Sequence, residues 1–494
     1  MFEWLKTIGK KQKAAWGRSV GERYLRFIRA KFDSAQTTPE NRRHWANADY
    51  LSADAAANRQ VRQTLRNRAR YEVANNSYAR GIVLTLANDV IGTGPRLQML
   101  LGDGADAGAN QTIEREFAAW AKAVDLAGKL RTMRMARAQD GEAFALLVSN
   151  DNLDSPVKLD LRLIEADQVT TPTFAAGAAT AGRPGPANAV DGIVFDEFGN
   201  PKEYHILKVH PGGATGAAGQ DYDKVPAESV VHWFRADRPG QSRGLPDILP
   251  ALPLFAQLRR YTLAVIAAAE SAANIAIFMK TSAPAGGEAA EVEPMATMEF
   301  EPNMAVFGPE GWEPSQIRAE QPATTYREFK AEILNEIARC LNMPFNVAAC
   351  NSSGYNYASG RLDHQTYFKS IRVDQAQVET GVLDRILDAW MAEAVKVFGL
   401  GAIDAWPHQW FWDGHEHVDP AKEANAQATR LGSHTTTLAA EYARQGKDWE
   451  TELRQRAKEV ALMKELGLSM AEAQPKPAQP QADEEDLGDQ REAA

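Results

Sequence analysis

Asn346-Val-Ala-Ala-Cys-Asn-Ser-Ser-Gly-Tyr-Asn-Tyr-Ala-Ser359 carries no charge, a single glycine, and a second half rich in hydroxyls and amides. It lies between two stretches of helical spacing, and that arrangement decides the reading of the fold. Upstream, Phe329, Ile333, Ile337, Cys340 and Leu341 recur in steps of four and three, which puts one apolar stripe on a helix over 324–341. Pro344 stops that helix, because a proline pushes the residue before it out of the helical region. Downstream, Ser359 is the expected N-cap. A second helix, from Gly360 to Phe398, keeps Leu362, Ile371, Val378, Val382, Ile386, Trp390 and Val397 in register. At about 1.5 Å per residue it is about 55–60 Å long, which suits a strut or an assembly better than the wall of a small-molecule pocket.

The 494 residues suffice for several cores, and 44% apolar with 24% charged residues is the balance of an ordinary soluble protein. Two cysteines, Cys340 and Cys350, rule out a disulfide framework, fit a reducing compartment, and read as small buried hydrophobes. The N-terminal Met1-Phe-Glu-Trp-Leu-Lys6 is amphipathic and lacks the apolar centre of a signal peptide. No run reaches the ~18 apolar residues of a membrane span; the most apolar, Thr262-Leu-Ala-Val-Ile-Ala-Ala-Ala269, is too short. Charge is uneven: residues 1–70 hold 16 Lys/Arg against 6 Asp/Glu, a formal +10, so a chain of net −10 carries −20 over 71–494. An acidic body excludes tight phosphate-hugging nucleic-acid binding, which works by cations releasing counterions. It leaves room for loose contact with DNA that keeps moving.

Residues 1–50 are basic and aromatic, an arm or amphipathic helix with Trp4, Trp16, Tyr24 and Phe27 among its cations. A helical region over 53–90 follows, with Arg59, Arg62, Arg66, Arg68 and Arg70. It ends in Ile91-Gly-Thr-Gly-Pro95, which reads as a C-cap and turn, since it follows a helix and lacks the third glycine of a nucleotide loop. Helices are expected over 112–124 and 130–139, the second with Arg131, Arg134 and Arg137 facing solvent or an adjacent subunit. Ala143–Val148, Leu159–Ile164, Ile193–Phe195, Tyr204–Leu207 and Val230–Phe234 have strand patterning. Residues 172–188 and 211–220 are Gly/Ala-rich surface loops, so 51–240 is an α+β domain. A helix over Ile248–Met279, alanine-rich in its middle, precedes a small Gly/Glu/Pro excursion. Its aromatics Phe300, Phe307 and Trp312 suit a minicore or a docking surface, and short extended pieces are expected at Met298–Phe300 and Met304–Phe307. After the aromatic stretch Ala405-Trp-Pro-His-Gln-Trp-Phe-Trp412, Asp419 and Pro420 open a helix, and 420–468 holds two or three helices. The Pro/Gln/acid-rich end, 473–494, is expected to be disordered.

Catalytic motifs are weak. No Gly-x-x-x-x-Gly-Lys-Ser/Thr is present, so the chain is not itself a P-loop motor. His415 and His417, with His408 and His434 nearby, form the one metal-like cluster; a metal-dependent hydrolase or nuclease on His408, His415 and His417 is one alternative. A DNA-binding scaffold acting through the basic N-terminal arm is another. Asn351-Ser-Ser-Gly-Tyr355 lacks the Gly-x-Ser-x-Gly elbow of a serine nucleophile.

An ordered series of short motifs resembles the lambda-type family of tailed-bacteriophage portal proteins. The series is Arg66-x-Arg68-x-Arg70, Asn75-Asn76-x-x-Ala79, Val90-Ile-Gly-x-Gly94, Asp140-Gly141-Glu142, Leu163-Ile-Glu-Ala-Asp167, Ile193-x-Phe-Asp-x-x-Gly199, Val230-x-His232 to Arg243-Gly-Leu-Pro246, Asn356-Tyr-Ala-Ser-Gly-Arg361, and Ile403 to Asp419-Pro420. It spans 55–470. The resemblance implies a mostly helical α+β portal fold. Its parts would be a basic arm (1–50), an α+β wing (51–240), a stem helix (241–281), a small α/β clip (282–322) that docks partners, and a second stem helix (323–343). A channel loop (344–359), a long wing helix (360–400), crown helices (401–472) and the tail (473–494) would follow. It implies a non-catalytic ring, dodecameric in assembled phage, built in the bacterial cytoplasm and held at one capsid vertex of the virion, with no cofactor and no membrane. Double-stranded DNA would pass through without sequence preference, along a loop lined by Asn351, Ser352, Ser353, Tyr355, Asn356 and Tyr357. The terminase large subunit, head-completion and tail connector proteins, and major capsid and scaffold proteins would be its partners.

Overall fold

The structure is a computed structural model that describes residues 38–101, 108–171, 189–213, 221–273, 277–281, 312–316, 326–400, 405–414 and 420–468. The chain divides into two compact units, Met1–Asn58 with Arg238–Gly240, and Arg59–Asp237 with Gln241–Ala494. In the first, the short helix α1 (Ala53–Ala56) is capped by Ser52, whose side chain accepts from the Ala55 amide, and Arg238 Nη2 donates to the Leu51 carbonyl at 3.0 Å. The arm before residue 38 lies outside the described residues.

The second unit begins with α2 (Arg59–Asn75) and α3 (Ser77–Ile91). Asn76 separates them by capping α3, its side chain accepting from the Tyr78 and Ala79 amides at 3.0 and 3.4 Å. Gly92, at φ 57°, ends α3 as the C-cap its position in the sequence predicts. The strand β1 (Arg96–Met99) follows, then α4 (Ala109–Ala123) and α5 (Leu126–Asp140), whose ends Val124 and Gly141 bracket the two helices expected there. β2 (Glu142–Ser149), β3 (Leu159–Ile164) and β8 (Val230–Phe234) form an antiparallel sheet in the order β3-β2-β8. A second antiparallel sheet joins β4 (Ala189–Val190), β5 (Ile193–Phe195), β6 (Pro201–Leu207) and β7 (Tyr222–Pro226) in chain order. Phe144, Ile164, Val169, Ile193, Tyr204, Ile206 and Val230 close a small core between these sheets. The two Gly/Ala-rich loops fall almost wholly outside the described residues.

A 3₁₀ turn, Leu249–Ala251, leads into α6 (Leu252–Ala273). The helix expected to reach Met279 therefore stops earlier. Met279 lies in β9 (Ile277–Thr281), paired antiparallel with β10 (Trp312–Gln316), Met279 opposite Pro314. The alanine-rich run gives way there to Ile-Phe-Met-Lys-Thr, which favours a pleated strand, and its partner is too distant in sequence for local pattern to reveal. Phe300 and Phe307, with the two extended pieces expected around them, lie outside the described residues.

In α7 (Tyr326–Arg339), Ile333, Leu334, Ile337 and Ala338 are buried. Phe329, the first member of the expected stripe, is 48% exposed and meets Tyr261 of α6 edge-on. The first part of the expected loop is itself helical, as α8 (Phe345–Ala349) with Pro344 at its N-cap. Phe345, Val347 and Ala348 pack on the main core there, a role that a polar-loop reading hides. The long helix starts at Tyr357, ahead of the expected cap Ser359. It runs as α9 (Tyr357–Val378), a π turn (Glu379–Leu383) and α10 (Asp384–Phe398). Because the π turn adds a residue to the repeat, one register does not serve both halves. Tyr367, Ile371, Val378, Val382, Ile386 and Trp390 are buried, whereas Leu362 and Val397 are 66% and 43% exposed. The main core gathers around Phe117, Trp120 and Trp390, with Trp120 Nε1 donating to the Leu159 carbonyl at 2.7 Å.

β11 (His408–Phe411) pairs antiparallel with β1, Arg96 opposite Phe411. Among the described residues three helices follow, α11 (Pro420–Gly432), α12 (Leu438–Arg444) and α13 (Trp449–Glu465). Asp419, the expected cap of α11, and the tail beyond 468 lie outside the described residues. Among the described residues, no helix is long and apolar enough to cross a membrane.

Candidate functional site

Arg62, Arg66 and Arg70 stand four residues apart on α2, so they share one face. That face points inward, with Arg62 and Arg66 1% and 4% exposed. Opposite them, at the start of β2, Glu142 is fully buried and takes a two-pronged bond from Arg243, Nε to Oε2 at 2.8 Å and Nη2 to Oε1 at 2.7 Å. Arg66 Nη2 (3.1 Å), His232 Nε2 (3.1 Å) and the Gly244 amide (3.2 Å) complete its shell. The remaining N–H groups of Arg243 donate to the carbonyls of Val169, Asp191 and Ala166. Arg66 also holds Asp167, at 2.8 Å, Arg70 holds Asp140 and Asp167, and Arg62 pairs with Asp191. Gly141, at φ +92°, lets the chain at 244–245 lie on it: a Cβ there would stand 2.6 Å from Leu245 Cα. The sequence motifs at 66–70, 140–142, 163–167, 230–232 and 243–246 thus meet at one buried point.

The electrostatics follow from this shell. Burial pushes the Glu142 carboxyl up, but Arg243, the His232 hydrogen bond and Arg66 outweigh it and hold it well below the usual carboxylate range. Burial lowers the pKa of His232, and the Glu142 contact only partly offsets this. Because an ionised Glu142 only accepts, His232 Nε2 carries the proton and Nδ1 is left to accept from the Tyr204 hydroxyl, 3.4 Å away. The ring is stacked between Phe144 and Phe234, centroids 4.2 and 4.5 Å apart. Burial raises Tyr204 to about 12. The cluster is a structural lock between helix, two sheets and the 241–247 connection.

Two arginines depart from expectation. Arg134 and Arg137 face neither solvent nor a free surface; they are 2% and 0% exposed. Arg134 reaches Asp247 at 2.9 Å and Asp374 at 3.0 Å, and Arg137 reaches Asp374 at 3.2 Å and lies over the Trp233 ring. Helical spacing marks a shared face but not what covers it. Arg131 donates to the Gly92 carbonyl at 2.6 Å.

Segment 350–356 joins α8 to α9. Asn351, Ser352, Ser353 and Asn356 are exposed and Tyr355 is half-buried. The Ser353 amide donates to Asn351 Oδ1 at 3.0 Å and the Tyr355 amide to the Ser352 carbonyl at 3.1 Å, while the side chains of 351–353 otherwise point to solvent. Tyr357 is the first residue of α9. Cys350, expected to be a buried hydrophobe, is exposed at φ 50°, because it ends α8 in the left-handed region and turns its side chain out. Cys340 is partly covered, and burial raises its thiol to about 11.

The metal-like histidines do not assemble within the described residues. His408 Nδ1 faces the Trp406 carbonyl at 2.8 Å and Nε2 faces Asp384 at 3.2 Å, so two oxygens already occupy its nitrogens. His434 lies in the turn after α11, and His415 and His417 are outside the described residues. Glu165, Asp167 and His210 do approach one another, within 4.8 Å. Arg66 and Arg70 already hold Asp167, and Arg70 lies 3.5 Å from Glu165, so a cation there competes with two guanidinium groups. Of the docking aromatics, Trp312 opens β10.

Arg62 and Arg243 stand in stretches the sequence marks, but nothing local shows that they are buried, and their partner Asp191 carries no sequence signal. The four-residue spacing of Arg62, Arg66 and Arg70, on the face where Ala69 is also buried, is the signal that marks an ionic inner face.

Residues 39–375 match the family profile described as phage portal protein, lambda family. The chain is 26% identical over 434 residues to a probable portal protein of Halomonas phage phiHAP-1, covering 82% of each chain. Among solved structures it is similar to a chain from the neck of a native gene transfer agent particle, with 13% identity, a TM-score of 0.44, and 79% of this chain and 94% of that one covered. A similar comparison with an HK97 family phage portal protein from Corynebacterium diphtheriae gives 13% identity and a TM-score of 0.26, with 75% of this chain and 97% of that one covered.

Proposed function

Given that the chain belongs to the lambda family of phage portal proteins, we propose that its copies close into a ring whose bore is lined by Asn351, Ser352, Ser353, Tyr355, Asn356 and Tyr357 and conducts double-stranded DNA. The observation that carries the reading is the segment 351–356, uncharged and outward-facing at the start of the long helix. A conduit has to hold DNA without gripping it. Many phosphate contacts would have to break at every step, whereas neutral amides and hydroxyls offer hydrogen bonds that exchange readily with water. The net −10 of the chain favours a duplex kept centred by repulsion. A closed ring requires a head-to-tail interface, for which the exposed Leu263, Ile266 and Phe329 on α6 and α7 supply apolar surface.

In this reading 51–240 is the wing, 241–281 and 323–343 the stem, 282–322 the clip that receives the terminase large subunit and later the connector proteins, and 401–472 the crown. The ring sits in the virion at one capsid vertex, after assembly in the bacterial cytoplasm with capsid and scaffold proteins, and does no chemistry of its own. The test replaces Ser352, Ser353 and Asn356 together with lysine. Rings by electron microscopy should persist while DNA packaging slows severely or stops. Normal packaging by intact rings would remove the loop from the bore, and a strictly monomeric chain at high concentration would remove the ring.

A further inference from the structure

Within the proposed crown, the aromatic stretch at 405–412 is keyed to the long helix by every second side chain. Trp406 Nε1 donates to Asp388 at 2.8 Å, Trp410 Nε1 to Asp384 at 3.0 Å and Trp412 Nε1 to Glu379 at 2.6 Å; His408 Nε2 lies 3.2 Å from the same Asp384 oxygen. The donors share a face because strand side chains alternate. The acceptors share one for a less common reason. In a regular α-helix, residues five apart point about 140° away from each other, at about 100° per residue. The π turn Glu379–Leu383 closes i→i+5 and brings Glu379 and Asp384 into line. Asp388 then follows at the ordinary four-residue step. The wide turn and the ladder of indoles therefore require each other.

The consequence reaches the far end of the helix. α10 is fixed in the core by Ile386, Leu387, Trp390 and Met391. α9, on the other side of the turn, carries 351–356 at its start. One residue more or fewer in the turn rotates α9 by about 100° against α10. The present azimuth is the one at which Tyr367 Oη reaches Asp89 (2.6 Å), Gln375 Nε2 reaches the Val90 carbonyl (3.1 Å) and Asp374 meets Arg134 and Arg137. We infer that Glu379 and Trp412 are positioning residues: their bond holds the wide turn, and the wide turn aims α9 and the segment 351–356. The functional weight of this rests on the reading of that segment as the channel lining; the positioning itself does not.

The experiment uses the full chain carrying Cys340→Ala, Cys350→Ala, Leu362→Cys and Val397→Cys, spin-labelled at the exposed positions 362 on α9 and 397 on α10 and diluted into unlabelled protein so that pairs within one chain dominate. Electron–electron resonance should give one narrow distance for this parent. Trp412→Phe, which keeps the packing and removes the N–H, and Glu379→Leu should shift or broaden it. Glu379→Gln keeps an acceptor oxygen and should restore the parent distribution. A residue with a merely supporting role lowers the melting temperature and leaves the distance alone. Unchanged distances in both Trp412→Phe and Glu379→Leu would overturn the inference. Shifted distances support it, and normal packaging by those same variants would then count against the channel reading alone.

Discussion

Arg243→Met is the substitution from which the buried lock has most to lose. It removes a guanidinium with five donors placed on Glu142 and on the carbonyls of Val169, Asp191 and Ala166, and puts an apolar chain of similar length in its place. Glu142 keeps Arg66, His232 and the Gly244 amide, so its charge is not wholly stranded. Breaking a buried pair from one side costs about 3–5 kcal/mol, and the orphaned carbonyls place the expectation in the upper part of that range. The large second unit is not a safe two-state system, so the assay is native-state hydrogen exchange of the β2 and 241–247 amides, which reads local opening directly. Protection should fall about 10³-fold or more, since about 1.4 kcal/mol is a factor of ten. Arg131→Met, which loses a single carbonyl contact, serves as the control and should change protection by less than about tenfold. Pairing Arg243→Met with Glu142→Leu should recover at least about tenfold, because it removes the uncompensated charge along with its partner. A loss under tenfold in the single variant, or a double variant as damaged as the sum of the singles, would refute the account of Arg243 as the keystone.

Acid should act on the same cluster in two stages. The folded pKa of His232 is lowered, so below about 6.5 the unfolded chain takes a proton that the folded chain refuses, and stability falls as pH drops through that range. Glu142 is also lowered, so its contribution is intact above about 4.5 and is lost as pH falls further; in acid-unfolding curves His232→Phe should remove the first stage and keep the second. Gly244→Ala sets a Cβ against the Gly141 carbonyl and should lower native-state exchange protection of the 241–247 amides about 10²-fold, whereas Gly354→Ala, with nothing nearby, should change protection by less than about threefold. A maleimide reagent at neutral pH should modify Cys350 rapidly and Cys340 barely, because Cys340 is partly covered and its thiol is raised to about 11; mass spectrometry showing equal modification would contradict the packing of α7.

Local chemistry was enough for much of the fold. The alternation in Leu159–Ile164 and the apolar run in Val230–Phe234 coincide with β3 and β8 to the residue. Ile91-Gly-Thr-Gly-Pro95 is the helix end its glycines require, and Pro420 opens a helix because its fixed backbone angle suits a first turn. The order of short motifs also told the family, because each depends only on neighbours in the chain. Local chemistry failed wherever a residue's environment comes from elsewhere. Arg134 and Arg137 look like surface cations until Asp247 and Asp374 arrive from other elements to bury them. Phe345–Ala349 looks like loop until the core covers it.

Sequence by itself therefore determined that this is a mostly helical α+β chain with an uncharged link before one very long helix, since periodicity, capping and prolines act over a few residues. Only the tertiary structure decided that β1 pairs with β11, that five separated motifs converge on Glu142, and that a wide turn divides the long helix in two. Those features depend on which distant groups meet, and the free energy of a buried charge or an indole bond exists only once both partners are in place.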